Sequence, residues 1–152
     1  MTGVQTCALP ISKGKTLVIA PKRVAESVWA QESDKWNHLK SMSVVKIMGS
    51  PKQRLDTLQS SSDVYVINIE NVAWLVDNWI DNKFQYLIVD ESSRFKDPST
   101  KRFKALKKVL KQFKRRVILT GTPTPQGYGD LWSQVGILDF GERLEKIGRA
   151  HV

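Results

Sequence analysis

The residues best suited to chemistry are two adjacent carboxylates, Asp90 and Glu91, which end the apolar run Tyr86-Leu87-Ile88-Val89. The run is β-branched and aliphatic and too short for a buried helix, which predicts a strand buried on both faces. Open α/β sheets place their ligand sites at the carboxyl ends of the strands, and the acidic pair falls there. Such a pair suits nucleotide hydrolysis. One carboxylate can hold the hydration shell of Mg²⁺, which keeps its waters and takes few protein oxygens. Its neighbour can orient and deprotonate an attacking water. Taken alone, the stretch Tyr86–Ser93 reads equally as a strand that runs into an acidic turn.

A second informative stretch, Thr120-Gly121-Thr122-Pro123, ends the next apolar run. Its hydroxyls and flexible glycine could hydrogen-bond the acidic pair and report its state to another domain; alone, they read as an ordinary strand exit rich in turn residues. Gly14-Lys15-Thr16 has the look of the end of a phosphate-binding loop. That pattern wants a glycine where Leu9 stands, and the triplet should open a helix, whereas it opens an apolar strand. It is read as no such loop. His38 is read as solvated, and Trp29, Trp36, Trp74 and Trp79 as core and interface anchors, because they fall at helical spacing.

Strands and helices alternate along the chain. Strands are predicted at about 15–20, 44–48, 64–67, 86–90 and 116–120. Between them, Val24, Ala25, Val28, Trp29, Trp36 and Leu39 have helical spacing, and Ser50-Pro51 makes an N-cap and first turn for a helix through about Ser60. Val72–Ile80 predicts a third helix, and Asp97-Pro98-Ser99 opens a fourth. That helix turns Phe103, Leu106, Val109, Leu110 and Phe113 to one side and Lys101, Lys104, Lys107, Lys108 and Lys111 to the other, a face read as solvated. A last helix is predicted over roughly 127–138. The alternation implies an α/β fold, a parallel sheet with helices on both faces.

With 152 residues, 41% hydrophobic and 26% charged, the chain suits one globular domain. The net charge of +9 favours a polyanionic partner without naming one. A single cysteine excludes a disulfide framework and a cysteine-based zinc site. No apolar run approaches membrane-spanning length and no secretory leader is evident, so no membrane partner and a cytoplasmic location are expected. The uncharged start, Met1–Ser12, resembles the conceptual translation of a short-read sequencing adapter, and Ile147–Val152 resembles that of its reverse complement. Residues 1–12 and 147–152 are therefore expected to be non-native, flanking a native 13–146.

The order of motifs resembles the first RecA-like domain of a Swi/Snf-type ATPase of helicase superfamily two, with wording closest to short helicase-like proteins of phages and prophages. Thr16–Trp29 resembles the family's motif Ia, Ile47–Ser50 motif Ib, and Val66–Asn71 with Trp74-Leu75 the next nucleic-acid-facing motif. Leu87–Ser93 with Phe95-Lys96 resembles motif II, and Leu119–Pro123 with Asp130-Leu131-Trp132 and Leu138–Leu144 resembles motif III and its extension. The box reads Asp-Glu-Ser-Ser, so Ser93 replaces the family's usual acidic or imidazole fourth residue.

The resemblance implies ATP and Mg²⁺ as cofactors, with Asp90 organising the metal through water and Glu91 activating the attacking water. It implies that Thr120, Gly121 and Thr122 couple hydrolysis to movement. Pro21, Lys22, Gly49 and Asn68 would touch the backbone of DNA, expected to be double-stranded and read without sequence specificity. It also implies that the family's first strand and phosphate loop, which normally lie inside the sheet, and its second RecA-like domain are missing from this stretch. The chain alone is then expected to be inactive and poorly stable. Two rivals stand beside an ATPase fragment. One is a non-enzymatic nucleic-acid-binding domain. The other is a metal-dependent nuclease, for which Asp97 and Asp130 would have to join the acidic pair.

Overall fold

The computed structural model of the chain describes residues 14–29, 41–121 and 129–140. Five strands, β1 (Thr16–Ala20), β2 (Val44–Ile47), β3 (Val64–Asn68), β4 (Tyr86–Asp90) and β5 (Arg115–Leu119), form one sheet in the order β2-β3-β1-β4-β5. Every neighbouring pair is parallel. The predicted strands are present with ends shifted by one residue at most. Continuous apolar runs are what strands covered on both faces require, and β1 is buried along its whole length.

Alternate residues of each strand serve two separate cores. Leu17, Ile19, Tyr65, Ile67, Leu87 and Val89 face one side. There they meet α1 (Pro51–Gln59), α2 (Val72–Asp77), α3 (Lys101–Val109) and α4 (Gly129–Asp139) through Leu58, Leu75, Phe103, Leu106 and Ile137. Val18, Ala20, Val64, Val66 and Ile88 face the other, where Ala25 and Trp29 cover them. The direction of each crossover explains this division. Only β1→β2 runs toward the β2 edge; β2→β3, β3→β4 and β4→β5 all run the opposite way. Crossovers of one hand, almost always the right hand, must then put the first connection on one face and the others on the opposite face.

Local differences from the expectation have local causes. The segment after β1 is π-helical over Val24–Val28, and its predicted continuation through Trp36 and Leu39 lies outside the described residues, as does His38. The fourth helix starts at Lys101, not at Asp97. Asp97 folds back on itself, its Oδ1 accepting from the Ser99 N–H at 2.8 Å, and Thr100 becomes the N-cap by accepting from the Phe103 N–H at 3.4 Å. α2 stops at Asp77, and Trp79 then packs beside Phe84 and Phe113 and donates its indole N–H to Gln112 at 2.9 Å. No described helix is long and apolar enough to cross a membrane.

α1 begins as its sequence says, with a capping box. Ser50 Oγ accepts from the Gln53 N–H at 3.3 Å, and Gln53 Oε1 accepts from the Ser50 N–H at 2.8 Å. The chain enters this box through Gly49 at φ 87°, and a Cβ there would press on Gln53 Oε1. Gln53 cannot yield without giving up the Ser50 N–H. Gly49→Ala should therefore cost about 1–2 kcal/mol in urea denaturation, while Gly49→Asn, which tolerates φ > 0 better, should cost less. Equal midpoints for all three proteins would contradict this account.

At the amino-terminal rim, Asp63 Oδ2 accepts from the Ser43 N–H at 2.7 Å and from Ser43 Oγ at 2.8 Å. These bonds, the backbone one first, hold the Asp63 carboxyl below its ordinary value against a small opposing effect of burial. The native state thus binds this proton less tightly than the unfolded chain. The resulting stabilisation is full above the unfolded value of about 3.9 and is lost as pH falls through the lower native one. Asp63→Asn should flatten the stability profile in that acid window and leave its slope near neutral pH unchanged, as read from urea midpoints across pH.

Candidate functional site

A parallel sheet brings all five strands' carboxyl ends to one rim. Across it, in the order of the sheet, lie Gly49 beyond β2, Asn68 ending β3, Pro21 and Lys22 beyond β1, Asp90 and Glu91 at β4, and Thr120 and Gly121 beyond β5. Neighbouring strands are about 4.8 Å apart, so the two halves of the rim meet at the β1–β4 pair. The connection after β1 leaves toward one face and those after β3 and β4 toward the other, which opens a crevice on each side of the end of β1. Thr122 lies outside the described residues, as do the side chain of Asp130 and residues 1–13 and 141–152.

Asp90 belongs to the same face as Ile88, the face covered by Trp29. It is 8% exposed, and its Oδ2 accepts from the indole Nε1–H of Trp29 at 3.3 Å. A buried indole needs an acceptor, and here the acceptor is a carboxylate 61 residues away in sequence. Glu91 then breaks the strand by adopting a left-handed conformation, φ 57° and ψ 55°. A residue other than glycine rarely takes that conformation without compensation from its surroundings, and such residues gather at functional sites. β4 ends there, and the 3-10 turn Ser92–Phe95 starts. Ser93 Oγ donates to Glu91 Oε1 at 2.7 Å, so the unusual fourth residue of the box contacts its second.

The turn is fastened from behind by α4. Ser92 Oγ, fully buried, donates to Gln134 Oε1 at 2.7 Å, and Ser133 Oγ donates to the Lys96 carbonyl at 2.7 Å. Since α4 follows β5, both flanks of the segment 120–128 are tied to the acidic turn. β5 is in register with β4, Leu119 standing opposite Asp90, so Thr120 starts one residue beyond the acidic pair's strand.

On the other half of the rim, Lys22 is exposed and lies 3.8 Å from Glu26, a surface pair of little energetic weight. Asn68 Oδ1 accepts from the Asn71 N–H at 2.9 Å and caps the 3-10 turn Ile69–Asn71. Gly14, Lys15 and Thr16 lie at the opposite rim, with Thr16 buried as the first residue of β1, as expected of a strand opening. A shallow cavity of about 510 Å³ opens there among Gly14, Lys15, Asp63, Lys83 and Gln85. It is far from the acidic pair, and its one carboxylate is already engaged by Ser43. Trp29 and Trp79 serve the cores as anchors, as does Trp74, which also carries the Arg54 guanidinium 4.5 Å from its ring centroid.

Asp90 and Glu91 are hard oxygen donors, and no group of three or more His, Cys, Asp or Glu side chains gathers among the described residues. That donor set fits Mg²⁺ held through its waters by one carboxylate. Among the described residues it does not assemble the larger cage a nuclease would need: Asp97 is exposed and bound to Ser99, and the side chain of Asp130 lies outside them. The worth of the Trp29–Asp90 bond can be read directly. A double-mutant cycle of Trp29→Phe and Asp90→Ala in urea denaturation should give a coupling of about 1–2 kcal/mol, as expected of one buried hydrogen bond. Additive losses would mean that the bond contributes nothing.

Comparison with known proteins adds what geometry cannot. The profile of the SNF2-related domain matches residues 4–143. Protein p41 of Acyrthosiphon pisum secondary endosymbiont phage 1 is 43% identical over 158 aligned residues, covering 99% of this chain and 34% of that protein. The family match begins within residues 1–12 and ends before 147, whereas the phage match extends into both terminal stretches. The ISWI chromatin-remodeling complex ATPase ISW2 of Saccharomyces cerevisiae is 27% identical over 83% of this chain and 11% of its own length. Among solved structures, the Sulfolobus solfataricus SWI2/SNF2 ATPase core in complex with dsDNA superposes with a TM-score of 0.68 at 26% identity. That match takes in 82% of this chain and 25% of the other, so the sheet has the RecA-like fold of that core. The chain thus spans about a third or less of the relatives it matches, and it belongs to the SNF2-related domain family.

Proposed function

We propose that residues 13–146 form part of the first RecA-like domain of an ATP-dependent translocase that moves on double-stranded DNA. The observation that carries this is the division of one rim: the acidic pair and Thr120 occupy one half, and Pro21, Lys22, Gly49 and Asn68 the other. The dsDNA-bound SWI2/SNF2 core, which shares the fold, supports duplex DNA as the partner. The phosphate-gripping loop and the second RecA-like domain would come from the remainder of a parent protein, consistent with the 34% of the phage relative that this chain spans.

In this reading Asp90 holds the waters of a magnesium ion, and Trp29 keeps its carboxylate from turning away. Glu91 orients the attacking water and takes its proton. Ser93, bonded to the same carboxylate, fixes which oxygen faces the water. Mg²⁺ with ATP, when bound, supplies neutralisation of charge on the transferring phosphoryl group. Thr120, Gly121 and Thr122 sense the acidic pair, and α4, tied to Ser92 and Lys96, carries the change onward. Pro21, Lys22, Gly49 and Asn68 meet phosphates and sugars, which positions DNA without reading its sequence.

The test is ATP turnover by the parent protein, with and without duplex DNA. Glu91→Gln should keep ATP binding and lose on the order of 10²–10⁴ in rate, because the amide cannot accept the proton. Asp90→Asn should weaken Mg²⁺–ATP binding itself. Lys22→Ala should leave basal turnover nearly intact and blunt its stimulation by DNA. Turnover at the parental rate by Glu91→Gln would remove the catalytic reading and leave a DNA-binding module in its place.

A further inference from the structure

The chain's positive charge is not spread over its surface. Nine of its 24 Lys and Arg residues fall within 101–116, a stretch with no Asp or Glu, and fifteen basic and fifteen acidic residues share the rest. The whole surplus of +9 therefore belongs to α3 and the few residues that lead from it into β5. Arg116 is drawn inward, its Nε donating to the Leu138 carbonyl at 3.0 Å and its guanidinium 4.1 Å from the Phe140 ring centroid. Arg102 turns to Glu70 at 3.7 Å. The lysines stay outside. Lys101, Lys104, Lys107, Lys108 and Lys111 are all exposed, opposite Phe103, Leu106 and Val109, and none is in an ion pair among the described residues.

A merely solvated helix face would mix signs, since Glu–Lys pairs three or four residues apart support a helix and Lys–Lys pairs weaken it. Here Lys104–Lys108 and Lys107–Lys111 repel, and Lys101 sits in the first turn, where the helix dipole disfavours a cation. The fold tolerates these costs for a surface of one sign. Lys101, Lys104 and Lys108 recur every three or four residues on α3, and with Lys111, in the 3-10 turn Leu110–Gln112 that extends it, form one row about 15 Å long. That length matches roughly four base-pair steps of duplex backbone at about 3.4 Å rise each. Flexible ammonium groups suit phosphates, whose recognition needs charge and little angular precision.

We infer that this row on α3 is a second contact surface for the phosphate backbone of duplex DNA, separate from the rim. It lies on the face of the sheet opposite Val24–Trp29, the segment that follows Pro21 and Lys22, so it engages a different stretch of backbone. The inference rests on the proposed DNA-dependent reading. Its test uses direct binding and needs no turnover.

Fluorescence anisotropy of this full chain with a labelled duplex of mixed sequence, across a salt series, measures affinity and its salt slope. Lys101, Lys104 and Lys108 changed together to Gln should lower the slope by roughly two to three and the affinity at about 0.1 M salt by about tenfold or more. The same three changed to Arg should keep both. Lys15, Lys46 and Lys83 changed together to Gln remove equal charge elsewhere and should move the slope by roughly one or less. Equal slopes for the two Gln variants would overturn the inference, since net charge alone would then explain binding. So would wild-type binding by the α3 Gln variant, the result expected if the row serves an acidic protein. A wild-type chain that binds no duplex at low salt also overturns it, and leaves the ATP-turnover reading to its own experiment.

Discussion

The parallel pairing of β1, β4 and β5 is the constraint on which the rest depends. Parallel strands need long connections, and those connections return every strand to the same starting edge. All the carboxyl ends then share one rim. Register sharpens this. Thr16–Ile19 pairs with Tyr86–Val89, and Asp90 stands opposite Leu119. Pro21, Asp90 and Thr120 thereby arrive within a residue or two of the same line. A one-residue slip of β4 would carry Asp90 to the other face, away from Trp29, and would bury Tyr86 and Ile88 where Leu87 and Val89 now lie. Apolar burial on both faces makes such a slip costly, so the cores that hold the sheet also aim the carboxylate.

What can be read in advance follows from how local each cause is. Strands covered on both faces announce themselves as short apolar runs, and Pro21 and Asp90 mark the ends of two of them sharply. The Ser50-Pro51 start of α1 is legible because a capping box closes within four residues. The start of α3 is not, because Asp97 and Thr100 offer competing caps three residues apart and only geometry chooses Thr100. The strand order, and with it the crossover directions, depends on contacts between distant segments. So do the bonds that frame the acidic pair. Trp29 is 61 residues from Asp90 and Ser92 is 42 from Gln134, and neither partner carries a spacing that betrays the other. The available signal is weaker and different in kind: a buried indole or amide must find a partner somewhere.

These distant bonds also decide how the site can behave. Asp90 is contacted from the β1 side through Trp29, and the turn that follows Glu91 is contacted from the β5 side through Ser133 and Gln134. The bonds of Trp29 and Gln134 are buried and that of Ser133 is part-buried, and losing one partner of a buried bond strands the other at a cost of about 1–3 kcal/mol. Motion of either flank therefore cannot leave the acidic pair undisturbed. The segment Val24–Val28 is π-helical, a form found in single turns and often beside functional sites, and Trp29 follows it directly. A change of pitch there would rotate the indole relative to Asp90, whereas a shift of α4 would pull on Ser92 and leave Asp90 within its strand. The two carboxylates are adjacent in sequence yet anchored to different neighbours, because Glu91 breaks the strand between them. The β1 side therefore holds Asp90 itself, while the β5 side holds only the turn after Glu91, so the two flanks act on the rim at different points.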